Sequence, residues 1–199
     1  DQQWPKLGEA DYTPFINAQM AKKPDAVFSS LWGGHFVTFA KQAKPLGYFD
    51  AIKYNLIGAG EIACPESTRV MGAEYPFGIW GNTYDAFYWE DASPAHRDYI
   101  KRLSRYLKDE YPSSWAIQGY IGMQFLTEAI KKAGSTESDK VSKALIGLSV
   151  DTPHGKMTIR AKDQRSSRGQ LYGQTVKDPK YPFAIMKPLT YVDPAKFLD

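Results

Sequence analysis

The chain has one cysteine, Cys64, in 199 residues. A single thiol excludes an internal disulfide and a cysteine-built zinc site. No uninterrupted apolar run approaches the roughly 18 residues that a membrane-crossing helix needs. Charge of one sign is scarce too. Lys and Arg number 25 against 22 Asp and Glu, a net charge of +3, which permits an anionic partner but does not argue for nucleic acid. The three histidines, His35, His96 and His154, show no metal-ligand spacing. No G-x-S-x-G elbow is present, so Ser29 and Ser30 are poor nucleophiles. What is abundant is aromatic surface: 14% of residues, with five Trp and thirteen Tyr. That exceeds what a minimal core requires, so part of it is expected to line a pocket. Charged residues at 24% exclude wholesale disorder, and the length suits one or two domains.

The first half alternates helical and strand patterns. Thr13-Pro14 suits a helix start, with Thr13 as cap, and Ile16 and Met20 fall on one face. Asp25 to Ser30 reads as a buried strand. Phe36, Phe39, Ala40 and Ala43 step at three and four, an amphipathic helix ending near Pro45-Leu46-Gly47. Tyr54–Gly58 and Tyr75–Trp80 read as further strands. Strands separated by crossover helices imply a parallel sheet. Residues 81–93, rich in Asp, Asn and aromatics, read as a hinge or linker. The second half is mainly helical. Ser93-Pro94 opens a helix with a stripe of Tyr99, Leu103, Tyr106 and Leu107. Ser113 or Ser114 caps a longer one carrying Ile117, Ile121, Phe125 and Ala129. Ser135-Thr136 starts a third, with Val141, Ala144 and Leu145. Pro153-His154-Gly155 is a turn. Lys156–Arg160 and Leu171–Val176 alternate as strands, and Phe183–Met186 is a weaker one.

Two glycine turns follow predicted strands. Gly58 to Ala63 matches G-x-G-x-x-A, but Pro65 interrupts the helix that would carry a phosphate, and no acidic residue ends the next strand to hold a ribose. The loop therefore reads as a strand-to-helix turn, where such turns line the ligand crevice of an open α/β sheet. Glu61 on it can pair with a ligand ammonium or stay a solvated loop acid. At Trp32-Gly33-Gly34-His35 the glycines let backbone approach a ligand and free helix N–H groups for a carboxylate. A plain glycine-rich turn with a surface histidine is the other reading. His96 and His154 read as solvated, Cys64 as a small buried residue, and Glu90-Asp91 as an exposed linker pair. Lys156, Arg160, Lys162, Arg165 and Arg168 read as a solvated basic face. Trp115, at a helix start, reads as a core contact.

Several stretches carry a likeness to a known family. They are Lys23-Pro24-Asp25-Ala26-Val27, Trp32-Gly33-Gly34, Phe39 to Gly47, Gly119-Tyr120, Ala129 to Thr136, and Thr152-Pro153-His154-Gly155-Lys156-Met157-Thr158. In this order and spacing the chain resembles the leucine/isoleucine/valine-binding family of solute-binding proteins, the type I periplasmic receptors of ABC importers. The resemblance implies an α/β fold of two Rossmann-like lobes, each a parallel sheet with flanking helices, joined by three crossovers and closing by a hinge on a solute. Residues 1–80 and 166–187 correspond to the second lobe. Residues 81–165 correspond to a hinge crossover plus a helical segment returning to the first lobe, and 188–199 to a C-terminal tail. Asp1-Gln2-Gln3-Trp4-Pro5 has neither an initiator methionine nor a leader, and the chain reads as the C-terminal portion of a longer protein, with the first lobe largely missing. Such a chain is expected to expose sheet edges and apolar faces, and to need the missing N-terminal segment or an intermolecular contact for stability.

The resemblance also points to the site. Family contacts fall on His35 after Gly33-Gly34 and on Trp115 at the start of the returning helix, while Trp32, beside the glycine pair, is placed to wall the pocket with His35. A family glutamate that grips the ligand amino group finds its nearest match in Glu61, one residue further along. The implied function is that of an exported, periplasmic solute-binding component. It would capture a branched or aromatic amino acid, or an aromatic or other organic acid, and deliver it to ABC permease subunits. No catalytic residue, metal or cofactor is expected. A ligand-sensing domain on the same fold, as in a receptor ectodomain or an amide-type regulator, is the alternative. An α/β enzyme using the Gly58–Ala63 loop is a third.

Overall fold

The computed structural model describes residues 1–58, 65–194 and 197. In chain order the elements are α1 (Thr13–Lys22), β1 (Ala26–Ser29), α2 (Gly33–Ala43), α3 (Tyr48–Ala51), β2 (Tyr54–Ile57), α4 (Pro65–Met71), β3 (Trp80–Thr83), α5 (Pro94–Leu107), α6 (Ala116–Ala133), α7 (Ser138–Leu145), β4 (Ser149–Thr152), β5 (Gly155–Thr158), β6 (Gln170–Val176) and β7 (Ile185–Val192). They form two units: Asp1–Thr83 with Leu171–Thr190, and Tyr84–Gln170 with Tyr191–Asp199. The chain thus passes from one unit to the other three times, after Thr83, Gln170 and Thr190. No helix among the described residues is long and apolar enough to cross a membrane.

The first unit is built on a sheet of order β1-β2-β3-β6-β7. β1, β2 and β3 run parallel, as crossover helices require. β6 is antiparallel to β3, and Thr83 pairs with Leu171. The residue that leaves the sheet is therefore the partner of the one that returns. A strand entering at the end from which its neighbour left must run back against it, so the sheet is mixed rather than wholly parallel. α2 buries the expected Phe36, Phe39, Ala40 and Ala43. Phe39 meets Tyr12 and Tyr48 edge-on, with ring centres 5.7 and 5.2 Å apart. Burying such a ring contributes about 2–3 kcal/mol, and each edge-on contact adds about 1 kcal/mol. Ile16, Ile52, Tyr75 and Ile79 complete this core.

Several boundaries differ from expectation, each for a local reason. The strand expected at 75–80 begins only at Trp80. Pro76 has no N–H to give, and Gly78 turns with φ +80°. The stretch is instead fastened to Thr175, whose hydroxyl accepts from Ile79 N at 3.0 Å and donates to Pro76 O at 3.1 Å. α4 is described from Pro65 onward, and the residues before it, on which the expected interruption falls, lie outside the described residues. β7 covers 185–192 rather than 183–186 and runs through Pro188. It ends the sheet order, and an outermost strand tolerates a missing ladder donor. Thr13 is the first residue of α1 rather than its cap, and its N–H is taken by Asp11 Oδ1 at 2.9 Å.

The second unit packs α5, α6 and α7 with the β4–β5 hairpin. α6 buries Ile117, Ile121, Phe125 and Ala129, as the periodicity predicts. Tyr99, Val150 and Met157 join the first three in one cluster, and Val141 and Ala144 of α7 pack beside Ala129. Ser93 caps α5 by accepting the His96 N–H at 3.1 Å. The α5 stripe holds at Tyr99 and at Leu103, which packs against the same cluster, but not beyond. Its buried residues are His96 and Tyr99, whereas Tyr106 and Leu107 are exposed. α7 starts at Ser138, later than Ser135-Thr136. β4 is a strand that periodicity over so short a stretch does not reveal.

Candidate functional site

In the first unit, β1 delivers the chain to a glycine turn. Ser29 Oγ accepts the Leu31 N–H at 3.2 Å, turning the chain out of the sheet. Trp32 remains extended ahead of α2, and Gly33 takes φ +51°, a conformation that glycine adopts without strain. The N–H groups of His35 and Phe36 donate back to Trp32 O at 3.2 and 3.3 Å. The amides of Gly33 and Gly34 lie ahead of any acceptor that their own helix offers. A Cβ at Gly34 would meet nothing within 4 Å, and the Trp32 side chain is 54% exposed. His35 is half-buried, with Nδ1 3.3 Å from the hydroxyl of buried Tyr12. Burial, aided by Glu9, pushes the Tyr12 phenol up, so it stays protonated and can donate to Nδ1. An indole, two open amides and an oriented imidazole suit a small solute with an apolar body and a polar head.

The second turn is described only at its start. Gly58 N donates to Ser29 O at 3.0 Å, and a Cβ on Gly58 would come within 2.8 Å of the Phe28 ring. Glu61 and Cys64 lie outside the described residues, as does the rest of the G-x-G-x-x-A stretch. A separate cleft of about 780 Å³ runs along β1 and includes Trp4, Tyr12, Phe15, Phe28 and Tyr48. Trp32 and His35 do not line it.

Trp115 belongs to the second unit. It is 40% exposed, not the core contact expected of a large apolar side chain. Ser113 Oγ accepts its N–H at 3.1 Å, and its ring lies on Tyr84 with centres 4.6 Å apart. Arg168 completes this group. Its guanidinium sits 5.3 Å from the Tyr84 ring centre and donates to Tyr84 O at 2.6 Å and to Gln118 Oε1. Arg168 is thus no part of a solvated basic face, whereas Lys156, Lys162 and Arg165 are exposed. Burial draws its pKa down, against the charge of Asp85.

The largest departure is a buried charged trio. His96 and His154, expected to be solvated, have side chains only 1% and 0% exposed, against Asp85 at 2%. Each ring places Nε2 on Asp85 Oδ1, His96 at 2.6 Å and His154 at 3.0 Å. Trp89 packs edge-on against both rings. Burial drives the Asp85 carboxyl up, but the hydrogen bonds and charges of His154 and His96 reverse this and hold it below its ordinary value. The partners lie 11 and 69 residues from Asp85, so no local spacing announces them.

The donor atoms of the trio lie within 4.8 Å of one another, and the residue types are those of a transition-metal site. The hydrogen bonding does not fit one. Asp85 Oδ1 already accepts from both rings and from Ala86 N. A metal on Nε2 needs Nδ1–H to be held by an acceptor, yet His154 Nδ1 has no partner among the described residues. The positive charge of Arg168 also acts on Asp85.

The first 180 residues match a family model described as periplasmic binding protein. The chain belongs to the periplasmic binding protein family. Solved structures share its fold. An amino acid ABC transporter substrate-binding protein from Pseudomonas fluorescens Pf-5 is 19% identical over 96% of this chain and 51% of that one, with a TM-score of 0.78. A solute-binding protein from Rhodopseudomonas palustris HaA2, in complex with p-hydroxybenzoic acid, is 16% identical over 94% and 50%, also at 0.78. The leucine binding protein LivK from Thermotoga maritima MSB8 is 18% identical over 95% and 50%, at 0.74. Comparison with curated protein sequences finds no match. The present periplasmic binding protein therefore spans about half the length of the structures that it resembles.

Proposed function

We propose that this chain is the C-terminal portion of the solute-binding component of an ABC importer, exported to the periplasm. It captures a small amino acid or related organic acid and delivers it to the permease, and performs no chemistry of its own. Residues 1–80 and 166–187 supply the second lobe, and 81–165 the crossover and the piece returning to the first. Family membership supports this reading, as do neighbours named for amino acids and for p-hydroxybenzoic acid. The three passages of the chain between its units suit a two-lobed receptor.

The observation that carries the reading is the turn at the start of α2. There the open Gly33 and Gly34 amides, exposed Trp32 and the Tyr12-held His35 stand together. Trp115 contributes a further aromatic contact, and Glu61 the contact to a ligand amine. Affinity comes from burying the apolar body of the solute, while the polar groups orient it.

The test restores the upstream coding region and runs a thermal-shift panel of aliphatic and aromatic amino acids, their deaminated acids and amides. A ligand that binds only the folded state raises the melting temperature by mass action. A shift with amino acids, lost in Glu61→Gln, is the expected result. A shift with deaminated acids alone keeps the receptor and removes the role of Glu61. No shift across the panel defeats the reading and leaves only the fold.

A further inference from the structure

We propose, on the reading of this chain as the C-terminal portion of a receptor, that β1 is a docking edge for the segment preceding Asp1. That segment adds a parallel strand along β1 and covers the open sheet face beside it. The two outer strands of the first unit, β1 and β7, are built differently. β7 carries Lys187 and Pro188, residue types with which an edge strand discourages further pairing. β1, Ala26-Val27-Phe28-Ser29, carries neither charge nor proline. Tyr54 N and Gly58 N donate to Asp25 O and Ser29 O at 3.0 Å each, so residues 25, 27 and 29 turn their backbone groups toward β2. Those of Ala26 and Phe28 alternate outward, where no described strand meets them.

The handedness of the connections says where the added strand comes from. Ile16 of α1, Phe36 of α2 and Met71 of α4 share one core, against which Val27 of β1 packs. These helices therefore lie on one face of the sheet. α2 and α4 carry the chain from β1 to β2 and on to β3. Crossovers between parallel strands are right-handed, so crossovers on one face travel in one direction across the sheet. The strand that feeds α1 must then lie on the side of β1 away from β2. No described strand precedes α1, so it belongs to the segment before Asp1. The opposite face is open. Phe28, Leu56, Trp80 and Gln174 stand side by side across it, with Tyr54 and Tyr172 among them. Phe28 is 73% exposed and Tyr54 45%, and the Trp80 and Tyr172 rings stack on each other. Parallel strands are ordinarily covered on both faces, and an aromatic patch left in water marks a contact surface. Asp1 to Pro5 line the cleft along β1, so a chain preceding Asp1 starts beside the free edge. The matched structures are about twice as long as this chain, which leaves ample length for a strand and its cover.

The test restores the upstream coding region and follows amide hydrogen exchange in the extended protein. Val27 and Ser29, bonded to β2, are the internal reference. Ala26 and Phe28 are expected to exchange within about tenfold of that pair at every protein concentration. Exchange more than about 100-fold faster leaves β1 a free edge and overturns the proposal, while the reading of the chain as a C-terminal portion survives. Slow exchange that is lost on dilution assigns the edge to a second copy and also overturns it. A coding region that opens at Asp1 defeats the proposal and that reading together. Tyr54 is expected to resist nitration by tetranitromethane in the extended protein, and ready nitration there overturns the cover. Ala26→Pro removes an outward N–H and none that reaches β2. It is expected to lower the melting temperature of the extended protein by about 5 °C, and an unchanged value counts against the added strand. Should that variant fail to fold, exchange in the wild type still decides.

Discussion

α2 and α5 are both helices with one buried face, yet they are anchored by opposite means. α2 presents Phe36, Phe39, Ala40 and Ala43 to an aromatic core, and every one of these contacts is apolar and tolerant of small shifts. α5 buries His96 and Tyr99, and its first turn depends on one carboxylate eleven residues earlier. An apolar face is stabilised in proportion to the area removed from water. A buried charge is stabilised only while its partners stay in place. The first kind of anchor fails gradually and the second fails at once.

Predictions can break or sharpen that contrast. The largest expected effect is from Phe39→Ala, which removes a ring gripped by Tyr12 and Tyr48. It should cost about 4 kcal/mol of unfolding free energy in urea titration. A loss below about 1 kcal/mol would mean that the aromatic core closes over the gap. Asp85→Ala should cost about 3 kcal/mol by leaving two buried rings without their acceptor. Replacing all three members of the trio with leucine should recover most of that loss. If it does not, the trio is more than a costly polar core. Asp85 also carries a pH signature. Its folded pKa lies below its ordinary value, so its contribution is complete above the ordinary carboxylate range. That contribution is lost as the pH falls through the folded value, below about pH 4. Acid unfolding of Asp85→Asn should lack this component.

Smaller effects test the flanks. Ser93→Ala removes both the cap of α5 and the bond to Pro153 O, and should cost about 1 kcal/mol. Hydrogen exchange should rise in the first turn of α5 and in the β4–β5 turn, but not in α2. Trp32→Ala should change stability by less than about 0.5 kcal/mol, because the side chain is largely exposed. In the complete protein it should weaken solute binding more than tenfold, by about 1.4 kcal/mol or more. Loss of stability without loss of binding would make Trp32 a structural residue.

The stripes of α2 and α6 were legible because a helix repeats every 3.6 residues and the core selects one side. The strands at 26–29, 54–57 and 170–176 were legible because short apolar runs are bounded by turns. The turn at Trp32–His35 was visible as a glycine pair after a strand, and its bond to Tyr12 was not. Tyr106 and Leu107 misled because their spacing continues a stripe beyond the point where anything covers it. His96 and His154 misled because a polar residue in a first turn or a tight turn is ordinarily solvated.

The sequence by itself determined most of the local elements, the buried faces of α2 and α6, and the family. The elements and faces depend on patterns within a few tens of residues, and the family on the order and spacing of short stretches along the chain. Only the tertiary structure decided that β6 runs against β3, that Arg168 is held on Tyr84 and Gln118, and that Asp85 gathers two histidines. Those facts depend on where the chain returns after a long excursion. The free energy of a buried polar contact comes from which partner is there to meet it, and periodicity carries no record of that partner.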